Sequence, residues 1–474
     1  MKYKDINLPA YTDEDRKNIR YKLTDALNSF PGKVIALDDD PTGVQTIHDI
    51  HVYTDWSEKS IEGGFLSQEK LFFLLTNSRA FTEEKTKKVH TEIAKRIAKI
   101  SKKTGIPFLL ISRGDSTLRG HYPLETDTLR DTLEKELSIT FDGEILCPYF
   151  REGGRFTIDD IHYVKQGGDL IPCSETEFAK DAAFGYHASN LKAYIEEKTK
   201  GKYPADKAVS IPLSLLREQK YEEITDILLH LNKHTRMIIN AVEDEDIMVF
   251  VTAMYRAMQK GKHFLIRSAA AFVKASAAVT DKELLKHADM ISEDSQKGGL
   301  IIIGSHTAKT TAQLRELMKI KEISFLACNS DLVLKPEEFK TEIETLTRKT
   351  DELLNKGITV CVYTNRKELV VAGDTKKQSL LRSVSISDAL VSLARNLKTK
   401  PSFVVAKGGI TSSDIGVKAL QVRKALVMGQ IQPGVPVWKT DPDCRFPDIP
   451  YIIFPGNVGN TDTLYQAASI LLNR

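Results

Sequence analysis

The chain has 474 residues, 41% of them hydrophobic and 28% charged, with a formal net charge of +3. That length exceeds one ordinary core, so two or three domains are expected, and the balanced charge, with no basic block or aromatic-basic ladder, argues against a nucleic-acid partner. There is no run of about eighteen apolar residues to span a membrane, and the start, MKYKDINLPAYTDED, lacks the apolar core of a secretory leader. The five cysteines, Cys147, Cys173, Cys328, Cys361 and Cys444, lie far apart with no C-x-x-C pair, the pattern of reduced thiols in a cytoplasmic protein.

In chain order, the runs KVIAL, DIHVYT, LFFLLT, PFLLI and EILCPYF read as strands, and AVSIPL, RMIINAV and HFLIR continue the series. Residues 82–103 space Val89, Ile93, Ile97 and Ile100 at helical intervals, with lysines on the other faces. The Gly-rich region 150–175 reads as a hairpin excursion from the βα alternation. A polar stretch, SEDSQKGG (292–299), then precedes GLIIIG, ISFLAC, ITVCVYT, SFVVAKGG and YIIFPG. PGVPVW (433–438) reads as a Pro-framed loop entering a short strand. The expected fold is α/β, with two domains, 1–290 and 291–474, each a mostly parallel sheet flanked by helices.

In open α/β sheets ligands sit beyond the carboxyl ends of strands, so the polar residues there carry the functional reading. In the first domain these ends are DDDPTG (38–43), TNSRA (76–80), SRGDSTLRGHYPLE (112–125) and PYFREGGRF (148–156). Arg79, Arg113, Arg119 and Arg155 form one candidate anion site, because the planar guanidinium fork suits carboxylates and phosphates. Asn77, Ser112, Ser116 and Thr117 add donors that read hydroxyls. Asp38, Asp39 and Asp40 leave one strand together and repel one another unless a cation, an arginine or a raised pKa neutralises them. In the second domain GSHTAKT (304–310), KGGITSSDIG (407–416) and FPGNVGNTD (454–462) combine Gly with Ser, Thr or Asn where helices open, the chemistry of a polyphosphate site. There is no Walker A, no G-x-G-x-x-G, no H-E-x-x-H, no G-x-S-x-G and no kinase H-R-D motif.

An anion-and-hydroxyl pocket facing a polyphosphate pocket across an interdomain cleft is the arrangement phosphoryl transfer needs, with a carboxylate to take the acceptor proton. LDDDPTGVQT, TNSRA, SRGDSTLRGHYPLE, GGRFT, ETEFAKD, GSHTAKTTAQL, KGGITSSDIG and FPGNVG, in this order, resemble the four-carbon acid sugar kinase family. The resemblance covers nearly the whole chain. It implies an ATP-dependent kinase of sugar acids such as threonate, erythronate or 3-oxo-tetronates, with acid bound by the N-terminal domain, ATP by the C-terminal domain, and Mg²⁺ accompanying the nucleotide. It further implies that Asp39, Asp40, Arg79, Arg113, Asp115 and Arg119 line the acid site, and Ser305, Gly408, Gly409, Thr411 and Gly456 the nucleotide site. Asn457 joins these through the PGNVG loop, and Asn77, Ser112 and Arg155 join the acid-binding set. Arg113 and Arg119 are the arginines expected to hold the substrate carboxylate, and Asp115 or Asp40 the general base. Two stretches differ from the family pattern: Pro41 with Val44-Gln45 after the paired aspartates, and Ile410 after the paired glycines. The alternatives are a dinucleotide-dependent oxidoreductase, which the absent Gly-rich fingerprint disfavours, and a non-catalytic sugar-acid and nucleotide sensor. A small-molecule sugar acid and ATP are the expected partners, together with a homo-oligomer as a further possibility.

Overall fold

A computed structural model describes residue 2 and residues 8–40, 43–44, 46–292, 296–367, 369–371, 373–456 and 458–474. Contacts divide the chain into two units: Met1–Gly43 with Asp55–Thr280, and Val44–Thr54 with Asp281–Arg474. The division between Thr280 and Asp281 precedes the polar stretch that suggested a boundary near 290.

The first unit contains β1 (Lys33–Asp38). After the excursion of β2 (Ile50–Tyr53) into the second unit it continues with β3 (Leu71–Leu75), β4 (Phe108–Arg113) and β5 (Gly143–Cys147). A small antiparallel sheet of β6 (Arg155–Ile158), β7 (Ile161–Gln166) and β8 (Asp169–Pro172) forms the expected excursion. The main sheet resumes with β9 (Val209–Ile211), β10 (Thr235–Ile239) and β11 (Phe264–Ser268). Its order is β3-β1-β4-β11-β5-β10-β9, with parallel pairing throughout. Both faces are covered, which is why β1, β3, β5 and β11 are buried at every residue and read as unbroken apolar runs. The helix over 82–103 is present as Glu83–Thr104, capped by the Thr82 hydroxyl and stopped by Gly105 at φ 69°, with Val89, Ile93, Ile97 and Ile100 buried.

The second unit has β12 (Leu300–Ile303), β13 (Ile323–Cys328), β14 (Thr359–Thr364), β15 (Val404–Lys407), β16 (Lys424–Gln432), β17 (Val435–Thr440) and β18 (Pro450–Phe454). The order β13-β14-β12-β15-β18 is parallel, and β17, β16 and β2 extend it in antiparallel fashion. Ile301, Ile303, Val405, Ile452 and Phe454 belong to one apolar core with Leu314, Leu317, Leu464 and Ala468. DIHVYT is therefore a strand, but its partner is β16, with Val52 opposite Ala425 and Ile50 opposite Val427. A four-residue apolar strand carries no mark of the sheet it will join, so chain order wrongly suggested the first domain. Among the described residues no helix is long and apolar enough to cross a membrane, and all five cysteines are buried unpaired thiols.

Val52 is fully buried, so Val52→Ala tests this assignment. Hydrogen exchange should show faster amide exchange in β16, distant in sequence, and little change in β1 nearby. The opposite pattern would place the segment with the first unit.

Candidate active site

Each sheet has one point where successive strands depart in opposite directions, and the crevice there opens at the carboxyl ends. In the first unit it lies between β1 and β4, since β3 is on one side of β1 and β4 on the other. Parallel register sets Asp38, the last residue of β1, beside Arg113, the last of β4. Arg113 Nη1 donates to Asp38 Oδ1 at 3.0 Å and lies 3.7 Å from Asp39 Oδ1. Arg79 donates to both oxygens of Asp39, from Nη2 at 2.7 Å and Nε at 3.2 Å. It leaves β3 through Asn77, whose left-handed φ of 54° turns the chain into the short helical turn Ser78–Ala80. Arg79 Nη1 also lies 3.2 Å from Asp40 and 4.0 Å from Asp115. Asp115 accepts from Arg119 Nε at 2.8 Å and from the Thr117 hydroxyl, and Arg119 lies 3.8 Å from Asp181.

Beneath this ladder is a residue that sequence reasoning missed. Arg267, on β11 beside β4, donates from Nη1 to Glu125 Oε2 at 2.6 Å and to Ser112 Oγ at 3.0 Å. Ser78 Oγ donates to the other oxygen of Glu125 at 2.6 Å. A Cβ on Gly114 would collide with the Arg267 guanidinium, and one on Gly120, where φ is 127°, would lie 2.8 Å from Nη2. The two glycines of SRGDSTLRGHYPLE let its backbone wrap closely around this buried cation. Gly43 has a similar reason: a Cβ there would overlap the Asp38 carboxylate.

The carboxylates experience opposite fields. Burial pushes Asp38 up to about 7 despite Arg113, and its Oδ2 is enclosed without a hydrogen-bond partner. Burial likewise raises Asp39 against the pull of Arg79. For Asp115 burial also opposes ionisation, but Arg79, Arg119 and the Thr117 hydroxyl outweigh it and hold the group down to about 2. Arg155 begins β6, which His162 of β7 ties to the SRGDSTLRG loop by a 2.8 Å contact with the Ser116 carbonyl.

In the second unit β12 is flanked by β14 and β15, and a cavity of about 340 Å³ opens at their carboxyl ends. Ser305, Gly408, Gly409 and Thr411 all line it. Gly408 has φ 127°, and no atom lies within 4 Å of a Cβ built on Gly409 or on Gly456, so both loops present open backbone. Thr307 caps the helix Ala308–Leu317, and Thr310 Oγ1 donates to Ser305 Oγ at 3.2 Å. Gly456 does not line the cavity; its carbonyl accepts from Lys407 Nζ at 3.1 Å, beside that of Pro455 at 2.6 Å. Burial, reinforced by Lys309, pushes Lys407 down to about 7. Arg366, after β14, donates to the Ser305 carbonyl while its Nε and Nη1 are enclosed without partners. Lys407 and Arg366 were also missed, although a charge ending an apolar strand, as in VVAKGG, is the same signal that exposed the first site. Asn457, Pro41 and Gln45, and the side chain of Ile410, lie outside the described residues.

Two outcomes test this geometry. Arg267→Met leaves Glu125 buried without its guanidinium, facing only the His90 imidazole at 3.7 Å, so it should cost about 3–5 kcal/mol in chemical denaturation, with part recovered by adding Glu125→Gln. Additive losses would show that the pair does not couple. Asp38 holds its proton more tightly folded than at its ordinary value of 3.8. Its contribution to stability is therefore full below about pH 4 and lost as pH rises through about 7. Wild type should thus lose stability relative to Asp38→Asn between about pH 4 and 7; parallel curves would mean that folding does not raise the Asp38 pKa.

Residues 34–276 match the family described as the sugar-binding N-terminal domain, and residues 300–464 the nucleotide-binding C-terminal domain. Protein HI1011 of Haemophilus influenzae is 18% identical, with a TM-score of 0.65 over 92% of this chain and 100% of that one. A Salmonella typhimurium LT2 protein is 14% identical, with a TM-score of 0.67 over 92% and 98%. Comparison with curated proteins returns no match. The two domain families, in this order and over these two sites, place the chain in the four-carbon acid sugar kinase family.

Proposed function

We propose that the protein is an ATP-dependent kinase that phosphorylates a hydroxyl of a four-carbon sugar acid. One observation carries this reading: each sheet puts a different chemistry at its switch point, arginines and carboxylates in the first unit and open glycine backbone with hydroxyls in the second. The first suits an acid bearing hydroxyls and the second a nucleotide polyphosphate. Ser305, Thr411 and the amides after Gly408 would hold the phosphates, with Lys407 fastening the two glycine loops together. Mg²⁺ would accompany the nucleotide, offsetting the charge of its phosphates.

The acid would lie against Asp39, Asn77, Arg79, Ser112, Arg113 and Arg119. Asp40 and Asp115 are the two carboxylates suited to take the acceptor proton. They differ in readiness: Asp115 is held near 2 by its arginines, so it is the weaker base and the better fixed acceptor for a hydroxyl hydrogen bond. Asp40 lies 3.2 Å from Arg79 Nη1.

A coupled ADP-release assay with Mg-ATP and a panel of threonates, erythronates and 3-oxo-tetronates tests the reading. Turnover with one acid is expected. Asp40→Asn should then lower kcat at least a hundredfold with KM for ATP unchanged, whereas silence across the panel, with no ADP formed over hours, would refute kinase activity on these acids.

A further inference from the structure

The arginines of the first unit are not equivalent. Arg79, Arg113, Arg119 and Arg267 each have a carboxylate within 4.0 Å. Their charge is already opposed, and an incoming carboxylate would compete with Asp38, Asp39, Asp115 or Glu125 for the same donors. Arg155 differs: among the described residues no carboxylate approaches its guanidinium within ion-pair distance. Its one hydrogen bond runs from Nη1 to the Gly153 carbonyl. Nε is enclosed and without a partner, so the Nε–Nη2 edge, the edge that grips a carboxylate in two parallel bonds, is unused.

This unused fork is held in place. The Arg155 backbone exchanges hydrogen bonds with Phe150, at 2.8 and 3.1 Å, just beyond the carboxyl end of β5. Its guanidinium carbon lies 5.4 Å from the centre of the Phe178 ring, and that of Arg119 lies 5.1 Å from the same ring. Arg119 is paired with Asp115 and Asp181, whereas no carboxylate among the described residues reaches Arg155 at ion-pair distance. Burial lowers the Arg155 pKa and the charge of Asp115 opposes this; through the shared Phe178 ring Arg155 neighbours Arg119, which is paired with Asp115. Arg155 is half-buried, and leaving its enclosed Nε without a partner is costly unless a ligand completes it.

Resting on the kinase reading, we infer that Arg155, stacked on Phe178, is the specificity-determining residue that receives the substrate's carboxylate, so that the enzyme takes an acid and rejects the matching neutral alcohol. Arg113 and Arg119 then serve to hold Asp38, Asp39 and Asp115.

The test is calorimetric binding to the full chain, without ATP, of threonate, erythronate and the uncharged threitol and erythritol, alongside ATP alone. Wild type should bind at least one acid and prefer it to the alcohol by tenfold or more. Arg155→Met should weaken that acid at least tenfold, erase the preference, and leave ATP affinity unchanged, which shows that the variant is folded. Arg155→Lys, which keeps the charge but loses the fork, should recover part of the loss. Acid affinity within threefold of wild type in Arg155→Met, or no acid binding by wild type, overturns the inference. ADP release decides the kinase reading separately: an acid that binds through Arg155 but is never phosphorylated would sink that reading and leave this one standing.

Discussion

The buried guanidinium of Arg267 organises the first site. It is 5% exposed, reaches from β11 to Glu125 and Ser112, and the loop carrying Asp115 and Arg119 wraps around it at two glycines. An arginine in such a place forfeits its hydration and must recover it from fixed oxygens. The loop geometry is what supplies them, so its course is dictated as much by the cation inside as by the ligand outside. Glu125 connects this post to the neighbouring turn through Ser78, the residue just before Arg79. A single pair thus fixes the approach of two of the four strand ends.

Above that post the charges form a ladder in which carboxylates and arginines alternate. Such an arrangement is costly to desolvate, and apolar packing would stabilise the unit at least as well. Its value lies in preorganisation: donors and acceptors are oriented before any ligand arrives, and each carboxylate has its own proton affinity. Asp38 lies deep and titrates late, whereas Asp115 stays ionised because three donors converge on it. The contrast arises from depth and partners, since all are aspartates at strand ends.

Much of this was legible in the sequence, for definite reasons. Parallel strands buried on both faces must be continuous apolar runs, so KVIAL, PFLLI and HFLIR announce themselves, and charges that follow such runs must lie at sheet ends. Pairing was not legible. Arg267 and Ser112 are 155 residues apart, and nothing local says that β11 inserts between β4 and β5. For the same reason Arg113 and Arg119 were singled out to hold the substrate carboxylate, although they and Arg79 are matched by carboxylates of the chain itself. β16 was passed over because it is buried on alternate residues and carries Gly429 and two glutamines, so it reads like a polar loop. The two glycine loops were read as a polyphosphate site, but Lys407, whose ammonium reaches the carbonyls of Pro455 and Gly456, was passed over.

The excursion at 44–54 has a consequence for how such a protein is assembled and reshuffled. The chain passes between its two units at 43/44, at 54/55 and at 280/281, so neither unit is a contiguous stretch of sequence. A gene fusion or an exchange of halves between relatives, cut once near residue 280, would give the incoming half a foreign β2 to pair with its own β16. The modules therefore travel as a matched set. The strand that follows the aspartate triplet acts as a bookkeeping device, tying the inheritance of one half to that of the other.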